Sequence, residues 1–168
     1  EDHFKRNDFF DKKIRDLFEN DYHKAINNKL EDWQDTPKSC LALIILLDQF
    51  SRNLYRDSPL AFDYDHKARL IVNEAIDRGD LEHITIDQKF FLILPLIHSE
   101  DISDHIFAHN LCDTYLKSHP QFDNIKKQFD YHTVAIKKFG RYPHRNETLK
   151  RSSTKEEKIF LDKPNSSW

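Results

Sequence analysis

The amino-acid sequence predicts an all-α fold, an array of about seven antiparallel helices. Only 2 of the 168 residues are glycine, whereas sheet proteins need many turns with positive φ. Helix-start sequences recur along the chain, and apolar residues return at helical spacing. We therefore expect a single helical domain over residues 1–168.

Helix boundaries are marked by capping residues. We expect helices over residues 8–30, 37–56, 59–78, 86–97, 100–118, 122–139 and 154–161. An N-cap followed by proline stands at Thr36-Pro37 and at Ser58-Pro59. Capping boxes stand at Thr85–Gln88 and Ser153–Glu156. Gly79 and Gly140 occupy positions typical of helix C-caps.

The second helix is the most informative about packing. Its first half is apolar on every side, which is typical of a helix surrounded by others. One apolar face continues to its end through Leu43, Leu46, Leu47, Phe50 and Leu54. In the third helix, Ala61, Ala68 and Ala75 form a strip of small residues that allows close approach of a neighbouring helix.

Asp48, Arg52 and Arg56 follow one another at i, i+4 and i+8 on the opposite face of the second helix. One interpretation is an intrahelical ion pair with solvated ends. The other is that charges on a central helix line a cavity. Two guanidinium groups one turn apart would then form a cradle for an anion.

The segment LPLIHSED contains Pro95, which forces a kink or an end in an apolar helix. Ser99 and the acidic residues after it then fit an N-cap and a first helical turn. If the helix continues instead, His98, His105 and His109 fall in one stripe, and the last two have the spacing of zinc helices. The glutamate of a metalloprotease motif is absent, so we expect no metal and no other cofactor.

Two further features carry ionisable groups. His132 lies on an apolar helix face, where it is either a satisfied core residue or a neutral imidazole facing a pocket. The loop FGRYPHRN, residues 139–146, packs four polar side chains around one proline. Such a stiff loop is either a solvated surface or a segment that positions a site.

The overall composition excludes several classes of protein. With 26 basic and 29 acidic residues, the chain is not a generally basic nucleic-acid binder. The longest apolar run, residues 41–47, is far shorter than the roughly 20 residues of a membrane span. Cys40 and Cys112 lie in apolar helical patterns and predict buried thiols in a reducing compartment, hence a cytoplasmic protein. The chain starts at Glu1 and contains no methionine, so we expect the natural N-terminus to be missing.

Four of these segments, taken together, resemble the small bacterial proteins classed as domain of unknown function 924. The matching motifs are LALIILLDQFSRNLYR (41–56), LAFDYDHKAR (60–69), PLIHSED (95–101) and FGRYPHRN (139–146), and STKEEKIFL (153–161) fits as well. Position 150 is lysine where the family often has glycine. The aromatic-rich segment with which the family opens is absent.

The resemblance implies tetratricopeptide-like helical hairpins and no settled activity. It also implies that the polar residues of the motifs converge on one cleft. From it we infer catalytic candidates Asp48, His98, Glu100 and His144. The inferred ligand-binding candidates are Gln49, Arg52, Asn53, Arg56, Ser99, Arg141, Arg145 and Asn146.

Two functions stay open. The first is an enzyme or binding protein whose arginines hold a small anionic molecule, with a histidine oriented by Asp48 or Glu100 as general acid or base. The second is a helical-hairpin interaction module whose arginines and histidines bind an acidic peptide. Neither the oligomeric state nor the reaction class follows from the sequence, and neither a nucleic acid nor a membrane is expected as a partner.

Overall fold

The computed structural model of the protein describes residues 7–164 and 166. Every regular element among them is helical, which confirms the all-α class. The α-helices are α1 (Asp8–Ile26), α2 (Pro37–Ile45), α3 (Ser51–Leu54), α4 (Asp65–Asp77), α5 (Ile86–Ile97), α6 (Ile102–Tyr115), α7 (Phe122–Phe139) and α8 (Lys155–Leu161). Short 3₁₀ segments cover Glu31–Asp35, Pro59–Ala61, Asp80–His83 and Pro143–Arg145.

Most predicted capping residues act as expected. Thr36 accepts the Ser39 N–H at 3.3 Å, and Thr85 and Gln88 form a reciprocal capping box. Gly140 ends α7 with a φ of 65°, in the left-handed region that favours glycine. The capping box of α8 lies one residue later than predicted, between Thr154 and Glu157.

Four predicted helices differ from the observed ones, and the first of these, predicted over residues 8–30, ends at Ile26. The helix predicted over residues 37–56 is interrupted by a π-helical turn, Leu46–Phe50, between α2 and α3. The one predicted from residue 59 begins as a 3₁₀ segment and continues as α4. Ser99 is not the N-cap of α6, because Asp101 accepts the Ser103 N–H in that role.

The chain divides into two compact units, Glu1–Pro95 and Leu96–Trp168. In the first unit, α1 packs against the π-helical turn and α3, and α2 packs against α4. Ala68 and Ala75 of α4 are fully buried, as expected for residues that allow close helix approach. The tetratricopeptide-like arrangement and the single domain stay predictions.

In the second unit, α6 packs against α7, and α8 packs against the 3₁₀ segment Pro143–Arg145. Ala135, Ile136 and Tyr142 form its buried cluster, with Phe160 of α8 packed against them. The loop after α7 is therefore part of the core and not a solvated surface.

Three further features complete the fold. Cys40 and Cys112 are buried free thiols, as predicted. Lys150, at the position where glycine was expected, has a φ of 55°, so the turn keeps the conformation that glycine favours. Within residues 7–164 and 166, no helix is both long and apolar enough to cross a membrane.

Candidate functional site

Arg52 is the centre of a charged network in the first unit. Its Nη2 lies 3.2 Å from Oδ1 of Asp48, which is buried in the π-helical turn. Its two terminal nitrogens also donate to the two oxygens of Asp65 on α4, each at 2.9 Å. Burial disfavours the charged guanidinium, but both carboxylates raise the pKa of Arg52 above its usual value. Gln49 donates to the other Asp48 oxygen.

Arg56 belongs to a second network of the first unit. It binds Asp11 of α1 through Nε and through Nη2, the latter at 2.8 Å. Asn53 Nδ2 donates to the same carboxylate at 2.8 Å. Both guanidinium groups of the second predicted helix thus have a carboxylate partner on another helix. The anion cradle stays a prediction, and an anion entering it would compete with these aspartates.

Glu100 is the centre of the polar network in the second unit. Its oxygens accept from Arg151 Nη1 at 2.6 Å and Nη2 at 2.9 Å. Oε1 also accepts the backbone N–H of Tyr142 at 2.8 Å, and buried Asn146 accepts from Arg151 Nε at 3.0 Å. Burial raises the pKa of Glu100, but the bonds from Arg151 and Tyr142 outweigh it and lower the pKa overall. Glu100 is therefore held as a carboxylate.

Arg141 forms the second ion pair of this unit. Its Nε and Nη2 donate to the two oxygens of Glu157 at 2.7 and 2.9 Å. The hydrogen bond from Arg141 holds the pKa of Glu157 at about 2. Because Glu157 also closes the capping box with Thr154, this pair ties the loop to the start of α8.

Tyr142 carries the ring around which the histidines gather. The ring centroid of His144 lies 5.3 Å away, that of His132 6.0 Å away and that of His105 6.2 Å away. The guanidinium carbon of Arg145 is 4.6 Å from the Tyr142 centroid, within the range of a cation–π interaction. His98 adjoins His132, with their centroids 6.1 Å apart.

The imidazoles of His132 and His144 are neutral at pH 7. Burial, followed by the nearby His98, lowers the pKa of His132 to about 2. Burial, followed by the charge of Arg145, lowers the pKa of His144 to about 3. Each neutral ring offers one N–H donor and one acceptor nitrogen. His98, His132 and His144 are half-buried as residues, and the Nδ1 atom of His144 is itself buried.

The backbone on both sides of His98 is held by buried side chains. The Tyr142 hydroxyl donates to the Ile97 carbonyl, and His105 Nε2 lies 2.9 Å from the Ser99 carbonyl oxygen. Because α5 ends at Ile97, its last carbonyl oxygens have no N–H partner within the helix and accept hydrogen bonds from other groups.

The predicted histidine stripe is not continuous, because α5 and α6 are separate helices with Asp101 capping the second. His105 and His109 instead share one hydroxyl, with His105 Nδ1 and His109 Nε2 each 2.9 Å from Thr133 Oγ1. Over the described part of the chain, no group of three or more His, Cys, Asp or Glu residues is placed to hold a metal ion.

The predicted site residues are divided between the two units. The first contains Asp48, Gln49, Arg52, Asn53 and Arg56, and the second contains His98, Ser99, Glu100, Arg141, His144, Arg145 and Asn146. In the second unit, His144 and Arg145 lie around Tyr142 with His98 next to His132, and Asn146 is linked to Glu100 through Arg151. Arg141 pairs with Glu157 instead, and the Ser99 hydroxyl accepts the Asp101 N–H. The convergence of both sets on one cleft stays a prediction.

Sequence reasoning missed the partners of these residues. Asp65 and Glu157 lie inside the quoted motifs, and the presence of acidic residues in the same set of motifs as the arginines could have indicated them as partners. Asp11 and Arg151 lie outside those motifs, and no local pattern marks them. Tyr142 was passed over because only the polar residues of FGRYPHRN were taken as candidates.

A family model described as bacterial protein of unknown function (DUF924) matches residues 1–165. The chain belongs to the DUF924 family. It is also similar to the solved structure of a protein of unknown function, ATU0120 from Agrobacterium tumefaciens, at 33% identity and a TM-score of 0.85. That match covers 95% of this chain and 87% of the other. No curated protein matches the chain. Membership in DUF924 confirms the resemblance, and its description assigns no activity.

Proposed function

We propose that this DUF924 protein binds a small anionic molecule at the cluster around Tyr142. The observation that supports this best is the gathering of His132, His144 and Arg145 around one aromatic ring, at 4.6–6.0 Å from its centre. His98 extends the cluster through His132.

A carboxylate or phosphate fits the donors of this cluster. The guanidinium of Arg145 provides a permanent charge with a planar set of N–H donors. The neutral ring of His144 adds an N–H donor that bears no desolvated charge of its own, whereas the N–H of His132 is donated from Nδ1 to the Gln128 carbonyl oxygen, 2.8 Å away. Contact with the Tyr142 ring, whose centre is 4.6 Å from the guanidinium carbon, restrains Arg145, which limits the side-chain entropy lost when a ligand binds.

The geometry supports binding more directly than acid–base catalysis. A general base works best with a pKa near the operating pH, whereas the pKa of His144 is about 3. Glu100 is occupied by Arg151 and the Tyr142 N–H, and Asp48 is occupied by Arg52 and Gln49. The proposed role of the histidines is therefore to contact the ligand.

Thermal denaturation with a panel of anions tests this proposal. Phosphate, sulfate and di- and tricarboxylates are compared at matched ionic strength, since added salt alone screens surface charges. A ligand at about 100 times its Kd adds about 2.7 kcal/mol, which raises the Tm of a chain this long by roughly 5–10 °C. Arg145→Gln and His144→Gln should each remove most of that increase.

Lys126→Gln is the matched control, because it removes one positive charge from an exposed pair with Asp113 in the same unit. It should leave the anion effect intact. If no anion changes the Tm, the proposal is wrong. Binding of an acidic peptide in the absence of any effect from free anions would favour the interaction module instead.

The proposed location is the cytoplasm. The support is that both cysteines are free and buried, as is usual in reducing compartments. Cell fractionation with a tagged full-length chain tests this, and recovery in an oxidising compartment would contradict it.

A further inference from the structure

The Thr133 hydroxyl lies at the meeting point of three hydrogen-bonding groups. Its oxygen is 2.8 Å from the Phe129 carbonyl oxygen and 2.9 Å from both His105 Nδ1 and His109 Nε2. A hydroxyl has one proton to donate and two lone pairs that accept. The protonation of the two imidazoles therefore decides whether Thr133, which donates to the Phe129 carbonyl, also shares its proton with an imidazole nitrogen.

The Ser99 carbonyl fixes the tautomer of His105. A carbonyl oxygen only accepts, so His105 Nε2, 2.9 Å away, must carry a proton. His105 has no exposed surface, and a buried imidazolium is costly. The neutral ring then has a bare Nδ1, which shares the Thr133 proton with the Phe129 carbonyl oxygen, to which this hydroxyl donates at 2.8 Å. Thr133 in turn accepts from His109, which must be protonated on Nε2.

We propose that Thr133 and His105 are positioning residues that hold His98 in the anion site. This inference rests on the proposed function. Thr133 orients the His105 ring, His105 fixes the Ser99 carbonyl, and the Tyr142 hydroxyl fixes the Ile97 carbonyl. The peptide unit that precedes His98 and the one that follows Ser99 are thereby both tied to buried side chains, which restricts the backbone from which the His98 imidazole projects.

The wild-type protein tests the hydrogen-bond scheme without a ligand. Long-range ¹⁵N–¹H correlation spectra of the imidazoles should show His105 and His109 as neutral rings protonated on Nε2. His105 protonated on Nδ1, or on both nitrogens, would overturn the scheme.

Three variants test the positioning role. Thr133→Val removes the hydroxyl at nearly constant volume, whereas Thr133→Ser keeps it. Thr114→Val is the matched control, because the Thr114 hydroxyl also donates to the carbonyl four residues earlier, Asn110, at 2.8 Å, but at an exposed site. Circular dichroism checks that each variant is folded, and Thr133→Ala replaces Thr133→Val if the latter is not.

The His98 imidazole resonances should shift in Thr133→Val and stay near their wild-type positions in Thr133→Ser and Thr114→Val. The affinity for inorganic phosphate, measured by calorimetry, should fall about tenfold in Thr133→Val alone, since small displacements of a contact group cost this much or more. Unchanged His98 resonances in Thr133→Val would overturn the inference. If wild type binds no phosphate or other anion, the proposed function fails, and the resonances still decide the positioning role.

Discussion

The guanidinium carbon of Arg145 lies over the ring of Tyr142, 4.6 Å from the ring centre. Tyr142 is fully buried, and its hydroxyl and backbone N–H are used by the Ile97 carbonyl and by Glu100. One residue thus presents its ring to a cation while its polar atoms hold two neighbouring segments of the unit.

The roles of this ring and this hydroxyl are separable by substitution. Tyr142→Phe keeps the ring under Arg145 but leaves the Ile97 carbonyl without that donor. A buried acceptor left unsatisfied costs about 1–3 kcal/mol, so urea denaturation should show a loss of this size. Tyr131→Phe on α7, whose ring faces Lys127, is the control and should change stability by less than about 0.5 kcal/mol. Equal stability of the two variants would contradict the bond to Ile97.

Asp65 should be essential for the stability of the first unit. Its side chain is 11% exposed, and Asp65→Asn removes the charge that faces Arg52 through two hydrogen bonds. Asp48 still faces Arg52 in this variant, so the expected loss is that of charge-assisted hydrogen bonds, about 1.5–3 kcal/mol, and not the full cost of an uncompensated buried charge. Asp113→Asn breaks a pair whose carboxylate is 54% exposed, and should cost less than about 1 kcal/mol. Similar losses in chemical denaturation would show that Asp65 is not a structural partner of Arg52.

The protein should lose stability as the pH falls below about 6.5. His132 and His144 have folded-state pKa values of about 2 and about 3, against about 6.5 in an unfolded chain. The stability that these two neutral side chains contribute is complete above the pKa of the unfolded chain. It is lost as the pH falls from that value towards the folded-state pKa, because acid protonates the unfolded chain first. In that range the free energy of unfolding falls by up to about 1.4 kcal/mol per pH unit for each histidine. Urea denaturation between pH 8 and pH 4 measures it.

His132→Gln and His144→Gln should each reduce this acid slope, and the double variant should reduce it most. A slope that is the same in all four proteins would mean that other groups cause the acid sensitivity.

Lys150→Gly should stabilise the protein. The left-handed conformation costs a residue with a side chain roughly 1–2 kcal/mol. Part of the stability gained with glycine is lost again, because glycine raises the conformational entropy of the unfolded chain. The expected net gain is about 0.5–1 kcal/mol, seen as a higher Tm. Lys150→Ala keeps Cβ and removes the charge, so it should give no such gain. A comparable gain from alanine would point to the charge and not to the φ of 55°.

The helices could be predicted from sequence because their signals are local. Capping and periodicity connect residues three or four positions apart, and the predicted ranges 86–97 and 122–139 coincide with α5 and α7. The π-helical turn was missed, since no local pattern distinguishes it from a continuous helix.

The ion pairs could not be predicted in the same way. Arg56 and Asp11 are 45 residues apart, and Glu100 and Arg151 are 51 residues apart. Which acid meets which arginine depends on how the helices pack, and that is a property of the whole unit. His105 shows the same limit: its spacing from His109 fitted a zinc helix, but the Ser99 carbonyl and Thr133 use both of its nitrogens.

Glu157 is shared between the Arg141 pair and the capping box of α8, and this double use should couple two local openings of the native state. Fraying of the first turn of α8 releases the Glu157 carboxylate and with it the anchor of Arg141. Detachment of the loop in turn removes the charge that orients Glu157 toward the Thr154 N–H. In native-state hydrogen exchange, the first amides of α8 and those next to Arg141 should therefore behave as one cooperative unit.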